Sequence, residues 1–380
     1  MRIDFVITEL NIGGAEKTLT EIALAMARRG HEVRVLSIGS RPSSNRRGLV
    51  DRLEAKNIET EFGGFDHWTS LFAATRWLRR CLSGRRPDIC QTFLFHANCL
   101  GVDAAKRAGV QRILGGLRVA ESNRLRALIE RRAVAKMETL VCVSAQVQRF
   151  AESELDAESK KCVVIPNGVD VDAYRDTPPI RWETLGWPNE SKVALFVGRL
   201  HPQKGLERIQ QQATRLLDGA NRHLLIIGDG PLSDSLRTWA EPYGDRVRML
   251  GFQPNVGPYL KAARLLLLPS HYEGMPNVVL EAMAAGIPVV CSRVEGSEEL
   301  LGDQSSDRAK KQGFDPGNAG QMAQLAEALF VDDGLVKSIG AANQNAIRSG
   351  FSLETMVQAY TNLYENGPAN ETLPNPQILP

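Results

Sequence analysis

Short apolar runs alternate with segments of helical period along almost the whole chain. Ile3–Thr8, Glu32–Ile38 and Asp88–Phe93 read as strands, and Ala15–Arg29, Trp68–Leu82 and Ala97–Ala108 carry apolar residues at helical spacing. Further strand-like runs follow at Arg112–Gly115, Thr139–Val143 and Val163–Ile165. Parallel neighbours need a crossover, usually a helix, so this alternation implies parallel sheets covered by helices. The pattern lapses between Pro178-Pro179 and Pro188 into Pro, Trp and charges, which places an interdomain linker there. It restarts with strands at Val193–Val197, His223–Ile227, Val247–Leu250, Leu265–Leu268 and Pro288–Cys291, separated by helical runs at Leu206–Leu217, Leu232–Ala240 and Val278–Ala285. Helical segments at Ala319–Phe330, Leu335–Arg348 and Leu353–Tyr364 close the pattern. The chain is therefore expected to be α/β, with doubly wound parallel-sheet domains over 1–178 and 189–350. A helix over 353–365 is expected to return to the first domain, and the tail 366–380, with four prolines, to be disordered.

Composition narrows the partners. With 380 residues the chain exceeds the usual single core. Lys plus Arg at 46 against Asp plus Glu at 44 leaves a net charge of +2, which argues against nucleic acid as a partner. The balance is uneven, however: Met1–Arg175 holds 28 basic and 21 acidic residues and the remainder 18 and 23, so a basic first half is set to face an acidic surface. The six cysteines form no C-x-x-C pair and read as free thiols. No apolar run approaches the roughly eighteen residues of a membrane span, and Arg2 and Asp4 lead into a strand rather than a signal peptide. A cytoplasmic location is expected.

The chemistry concentrates after particular strands. Leu265–Leu268 is followed by Glu273-Gly274-Met275-Pro276-Asn277-Val278 and, after seven residues that intervene beyond Glu273, by Glu281 inside a helix closed by Gly286. Both carboxylates then lie near the carboxyl end of a strand, where open α/β sheets bind ligands. Ionised Glu accepts hydrogen bonds from vicinal hydroxyls and the helix N-terminus donates to phosphate, a division of labour that suits a sugar nucleotide. The ordinary alternative is a βα unit whose Glu281 merely complements the helix dipole. Val197-Gly198-Arg199…Lys204-Gly205 ends the first strand of the second domain, and its two cations can converge on one anion and offset the charge on a departing diphosphate, as Mg²⁺ does elsewhere. Asn11-Ile12-Gly13-Gly14-Ala15-Glu16 opens the first helix, where glycines permit close ligand approach; a tight βα turn explains it equally. Pro166-Asn167-Gly168 reads as hinge-proximal structure. Gly228-Asp229-Gly230-Pro231 ends another strand as structure or pocket lining, and His96 sits at a strand end as a structural or substrate-facing side chain.

Gly13-Gly14-Ala15-Glu16, Asn167-Gly168-Val169-Asp170, Gly198-Arg199-Leu200…Lys204-Gly205, Gly228-Asp229-Gly230 and the Glu273/Glu281 segment occur in an order that resembles glycosyltransferase family 4 from about Phe5 to Glu299. The resemblance implies the GT-B fold, two Rossmann-like domains with an interdomain cleft. It also implies a nucleotide-diphosphate sugar donor held mainly by the second domain, no metal or other cofactor, and transfer with retained anomeric configuration. It would place Arg199 and Lys204 on the diphosphate, Glu281 on the ribose hydroxyls, Glu273 with Gly274–Val278 on the donor sugar and phosphate, and Gly14 under the diphosphate. Arg118 in Gly115-Gly116-Leu117-Arg118 matches a basic position after the fifth strand and is carried as a substrate-binding candidate; the chain departs from the family pattern at His96-Ala97-Asn98, where relatives carry a second His or an Asp. UDP is the expected base carrier and a glycan or lipid-linked saccharide the expected acceptor, in polysaccharide or glycolipid synthesis. A sugar-nucleotide isomerase of the 2-epimerase kind and a non-catalytic sugar-nucleotide binder are the rival functions.

Two basic helices bear on the acceptor. Trp68, Leu71, Phe72, Leu78 and Leu82 share a spacing with arginines 76, 79, 80, 85 and 86 on the remaining face, and Leu125, Leu128 and Ile129 lie among Arg124, Arg126, Arg131, Arg132 and Lys136. Either each stripe packs on the first sheet with its arginines solvated, or the helices make a peripheral contact with an anionic membrane, the inner face of the plasma membrane.

Overall fold

A computed structural model of the chain describes residues 1–67, 70–120 and 123–368. Trp68 and the tail from residue 369 onward lie outside the described residues. The chain divides into two compact units, one of Met1–Gly168 with the described chain from Glu354, the other of Val169–Leu353.

The first unit is built on seven strands, β1 (Arg2–Ile7), β2 (Glu32–Ser37), β3 (Glu59–Phe62), β4 (Ile89–Phe93), β5 (Arg112–Leu117), β6 (Thr139–Cys142) and β7 (Cys162–Val164), in the order β3-β2-β1-β4-β5-β6-β7. Neighbours pair in parallel, with Ile3 opposite both Val33 and Ile89. Ile3, Phe5, Val6 and Ile7 are fully buried, as expected of a central strand covered on both faces. The exception is Asp4, also fully buried, whose two oxygens accept from Arg34 Nη2 at 2.6 Å and Arg85 Nη1 at 2.7 Å. Burial drives its carboxyl above the ordinary range, with the two guanidinium groups opposing. Helix Leu353–Asn366 belongs to this unit from Glu354 onward: Tyr360 and Tyr364 are fully buried, Tyr364 lies edge-on to Phe5, and Arg112 donates to the carbonyls of Leu363 and Tyr364.

The second unit carries β8 (Lys192–Val197), β9 (Arg222–Ile227), β10 (Val247–Gly251), β11 (Leu265–Leu268), β12 (Val289–Ser292) and β13 (Gly313–Phe314), ordered β10-β9-β8-β11-β12-β13 and all parallel. The units divide at Gly168/Val169, ahead of the 178–188 stretch in which the sequence places a linker. The cause is local: Val169 N–H donates to Phe351 O, Leu353 N–H to Val169 O, and Ile180 N–H to Pro258 O, so this segment is tied into the second unit.

Strand order reverses between β1 and β4 in one sheet and between β8 and β11 in the other. The loops leaving these four strands hold Gly13 and Gly14, His96, Arg199 with Lys204, and Glu273. These are the topological switch points at which open α/β sheets take ligands.

Candidate functional site

In the second unit the loop after β8 runs through Gly198-Arg199-Leu200-His201 into a single 3₁₀ turn at Pro202–Lys204. His201 Nδ1 accepts from the N–H of Gln203 at 3.2 Å and caps this turn. Gly205 follows at φ +65°, and a Cβ there would meet the carbonyl of Pro269, so only glycine lets the loop lie against the exit of β11. Two further bonds stitch the loops together: His271 N–H to Gln203 O at 2.8 Å and Gln203 Nε2 to Tyr272 O at 3.0 Å. Their consequence is that Lys204 Nζ stands 2.5 Å from Glu273 Oε1.

Glu273 is held on three sides. Ser270 Oγ donates to the same Oε1 at 2.6 Å, and Ser270 is itself anchored through its carbonyl, which accepts from Ser292 Oγ at 2.5 Å. The Glu273 N–H donates to Glu295 Oε2 at 3.0 Å. Glu295 opens helix Glu295–Leu301, whose second residue, Gly296, sits so close to Gly274 that a Cβ would fall 1.8 Å from the Gly274 carbonyl. Desolvation pushes the Glu295 carboxyl above its ordinary range, opposed by the Glu273 N–H and reinforced by the Glu273 charge. The Glu273 side chain is only 7% exposed and that of Lys204 18%, so the pair is shielded but reachable.

Gly274, Met275 and Pro276 are buried, and Pro276 is the extended N-cap of helix Asn277–Ala285, which has no side-chain cap. Asn277 and Val278, half-buried, form its first turn. A first turn with no side-chain bond from its N-cap residue and no acidic residue is the end of a helix that favours an anion. Glu281 lies one turn further in and is buried, at 6% exposure. Arg199 is exposed at the end of β8. Gly228 and Gly230, at φ +138° and +156°, pack on the carbonyls of Gly198 and Leu200, so the Gly-Asp-Gly run supports the Arg199 loop from beneath. A polar depression of about 800 Å³ lined by Arg215, Arg293, Glu298 and Asp315 lies beyond the β12 and β13 ends and includes none of the residues singled out above.

In the first unit Gly13 is the extended N-cap of helix Gly14–Arg28, and the buried Glu16 side chain folds over it, its Oε2 2.3 Å from where a Cβ on Gly13 would lie, so a larger residue there would displace the Glu16 carboxylate. His96 is exposed beyond β4, its ring edge-on to Phe95 at 5.2 Å. Desolvation, then the Arg126 charge, lowers its pKa, which favours the neutral imidazole. The residue leading into this loop, Leu94, has φ +73°, a conformation costly for a branched side chain. A π-helical turn at Ala97–Gly101 follows where the sequence reads a plain helix start, with buried Asn98 bonded to Thr92, Gly116 O and Glu130.

Arg118 stands apart from the other candidates. It is 8% exposed, stacks on the Phe93 ring at 4.7 Å, and gives Nη1 to Asn167 Oδ1 at 2.8 Å and Nη2 to Tyr360 Oη at 2.9 Å. With both terminal nitrogens engaged internally, it is a buried strut under Asn167 rather than an outward-facing substrate ligand. The spacing in the sequence locates it correctly after β5, but Tyr360, which captures it, is 242 residues away. Ser270 and Glu295 escape sequence reading for a related reason: neither belongs to a motif, and only the fold of the loop brings them to Glu273. The Asp170-Val171-Asp172 run, a metal-like spacing, is spent on structure: Asp170 caps helix Val171–Arg175 and Asp172 pairs with Arg175 at 2.7 Å. Among the described residues no three His, Cys, Asp or Glu side chains cluster closely enough to hold a metal ion.

Comparison with known proteins agrees with this layout. Residues 12–173 match the family model described as Glycosyltransferase Family 4, and residues 181–346 match Glycosyl transferases group 1. The lipopolysaccharide core biosynthesis glycosyltransferase LpsD of Rhizobium meliloti is 26% identical over 367 residues, covering 94% of this chain and 96% of its own. The Escherichia coli UDP-Gal:alpha-D-GlcNAc-diphosphoundecaprenol alpha-1,3-galactosyltransferase is 26% identical over 312 residues, covering 76% and 77%. Among solved structures, Anabaena HepE in complex with UDP-glucose superposes with a TM-score of 0.81 at 19% identity, over 96% of this chain and 99% of that one, and the fold is GT-B.

Proposed function

The chain belongs to the group 1 glycosyltransferases of family 4, and from that premise we propose that it moves a sugar from a UDP-sugar to a glycan or lipid-linked acceptor, with retained anomeric configuration and without a metal. It acts in polysaccharide, glycolipid or lipopolysaccharide synthesis, the setting of the Rhizobium and Escherichia relatives. UDP as the carrier is supported by the galactosyltransferase's donor and by the ligand of the Anabaena structure.

The observation that carries the proposal is the Lys204–Glu273 pair in the loop that leads into the N-terminus of helix Asn277–Ala285. A Lys ammonium has three donors, so Lys204 can keep one on Glu273 while turning others to a diphosphate. Glu273 then offers its second oxygen to a sugar hydroxyl, the first turn at Asn277–Val278 donates to phosphate, and Arg199 supplies the second cation. Glu281 serves the ribose hydroxyls. In the transfer, the bond from the anomeric carbon to the phosphate oxygen breaks as the acceptor oxygen bonds to that carbon on the same face. The acceptor proton passes to a phosphate oxygen of the departing UDP. Two fixed cations stabilise the charge that grows there, the role a metal plays in other sites. Glu273 is a ligand to the sugar, not a nucleophile.

His96, in its neutral form, is placed on the acceptor side of this reading. The acceptor is met through peripheral contact with an anionic membrane at the cytoplasmic face; among the described residues no helix is long and apolar enough to cross one. Incubation of the protein with UDP-sugars tests the reading: slow nucleotide release that depends on Lys204 supports a transferase, whereas sugar interconversion without release makes it an isomerase, and binding alone a binder.

A further inference from the structure

The polar depression of about 800 Å³ beyond the ends of β12 and β13 holds none of the residues assigned to the reaction above. It is assembled at the β13 edge of the second sheet. Helix Leu206–Leu216 supplies Arg215, the chain after β12 supplies Arg293 and Glu298, and the chain after β13 supplies Asp315 and then Gln321 and Gln324 of helix Ala319–Val331.

Its walls are held by bonds within the protein. The Arg293 N–H donates to Phe314 O at 2.9 Å, and the Arg293 side chain lies along Gly313, where a Cβ would fall 2.7 Å from its Nε. Asp315 N–H donates to Gln321 Oε1 at 2.8 Å, and Gly317 N–H to Asp315 Oδ1 at 2.8 Å. Gln304, another lining residue, gives Nε2 to Glu298 Oε1 at 2.8 Å. Gln321 thereby keeps its amide donors to offer, Asp315 its second oxygen and Gln304 its carbonyl, each on a side chain already fixed at one atom. Groups fixed in this way lose little freedom when a ligand arrives.

The lining selects its ligand. Two guanidinium groups and two carboxylates balance in charge, so an anion is opposed by Glu298 and Asp315 and a cation by Arg215 and Arg293. Among the described residues the Pro316 ring is the one apolar side chain in the lining, so an apolar ligand has little to cover. A neutral molecule rich in hydroxyls uses every group present. Carboxylates and amide carbonyls accept from its hydroxyls, and guanidinium and amide N–H groups donate to them. The volume falls within the roughly 300–1,000 Å³ usual for small-ligand sites.

We propose that this depression is a second saccharide site, which takes a neutral oligosaccharide outside the donor-binding loops. The lining carries the assignment independently of the transferase reading; where that reading holds, the glycan under synthesis is such a saccharide. Glu298 lies one turn beyond Glu295, on the helix whose first residue accepts the Glu273 N–H, so the two sites share a helix.

Nuclear magnetic resonance titration of the full isotope-labelled chain tests it, with maltotriose, mannotriose, galactotriose and tri-N-acetylchitotriose as probes and UDP at saturation. The arginine Nε–H and glutamine Nε2 signals are read, each assigned by its own substitution. Saturable shifts of the Arg293 and Gln321 signals with at least one trisaccharide are expected. Arg215→Ala with Gln324→Ala is expected to weaken that binding roughly tenfold, the scale of one or two lost hydrogen bonds. Both replaced side chains are exposed, so unchanged circular dichroism melts accompany the loss. The proposal is overturned if no trisaccharide moves these signals, or if the double variant binds undiminished. It is also overturned if inorganic phosphate or trigalacturonate moves them at lower concentration than every neutral probe, which makes the depression an anion site. Nucleotide release from UDP-sugars, measured on the same protein, separates the two readings. Release without these shifts sinks the saccharide site alone, and shifts without release of any nucleotide sink the transferase reading alone.

Discussion

Truncation of Lys204 probes both the stability and the chemistry of the second unit. Lys204→Ala removes the ammonium 2.5 Å from Glu273 Oε1 and leaves a nearly buried carboxylate with Ser270 Oγ at 2.6 Å as its side-chain donor. Breaking a buried pair from one side costs about 3–5 kcal/mol, and breaking an exposed one about 0–1 kcal/mol. The Lys204 side chain is 18% exposed and water can enter the space it leaves, so the expected loss is about 2–3 kcal/mol. Glu273→Gln in the Lys204→Ala background removes the stranded charge and is expected to recover about 1–2 kcal/mol. Urea unfolding followed by tryptophan fluorescence reads this, because Trp182 and Trp187 are buried in the second unit. Turnover of the UDP-sugar should fall roughly tenfold to a thousandfold, the scale of one lost electrostatic donor. The reasoning is refuted if Lys204→Ala matches the wild type in stability and turnover, or if the double variant loses the sum of the two single losses.

Three further outcomes follow from the same geometry. Glu281→Ala is expected to weaken UDP binding by about 1.5–3 kcal/mol in calorimetry while turnover at saturating donor changes little; an effect on turnover alone means the roles of the two glutamates are exchanged. Glu295 accepts the Glu273 N–H and titrates above its unfolded value, so between the unfolded and folded pKa values the folded state holds more protons and stability falls as pH rises. Glu295→Gln keeps an acceptor and should abolish that slope, whereas Glu295→Ala should lower kcat by losing the anchor; identical pH profiles for Gln variant and wild type would dismiss the charge. Asp4→Ala takes a buried carboxylate from Arg34, which keeps Glu61 at 2.8 Å, and from Arg85, and is expected to cost about 3 kcal/mol, the low end for breaking a buried pair, in the first unit, checked by hydrogen exchange of β1 amides.

Sequence periodicity reveals the two parallel sheets because buried strands such as Leu265–Leu268 and helices such as Leu206–Leu216 carry unmixed patterns. It passes over β3, whose Glu-Thr-Glu-Phe is polar at the sheet edge, and β13, which is two residues long. The π-helical turn is invisible because Asn98, which holds it, draws its partners from Thr92, Gly116 and Glu130. The pairing of the candidates next to switch-point strands, Lys204 and Glu273, is within reach of the sequence because glycines and a strand end mark both loops. Residues recruited from elsewhere are not: Glu295 reaches Glu273 across 22 positions, and Arg118 turns inward only because Tyr360 and Asn167 are there to receive it. The outward face of Leu125, Leu128 and Ile129 is likewise decided by Glu130 finding a buried partner, which spacing alone leaves open.

The most direct test of the central claim is nucleotide release from a panel of UDP-, GDP- and ADP-sugars, assayed in chelator and with Lys204→Ala beside the wild type. Slow release of UDP from one UDP-sugar by the wild type, reduced at least tenfold in the variant and indifferent to chelator, is the predicted result. Release that requires added metal, or that survives unchanged in Lys204→Ala, contradicts it.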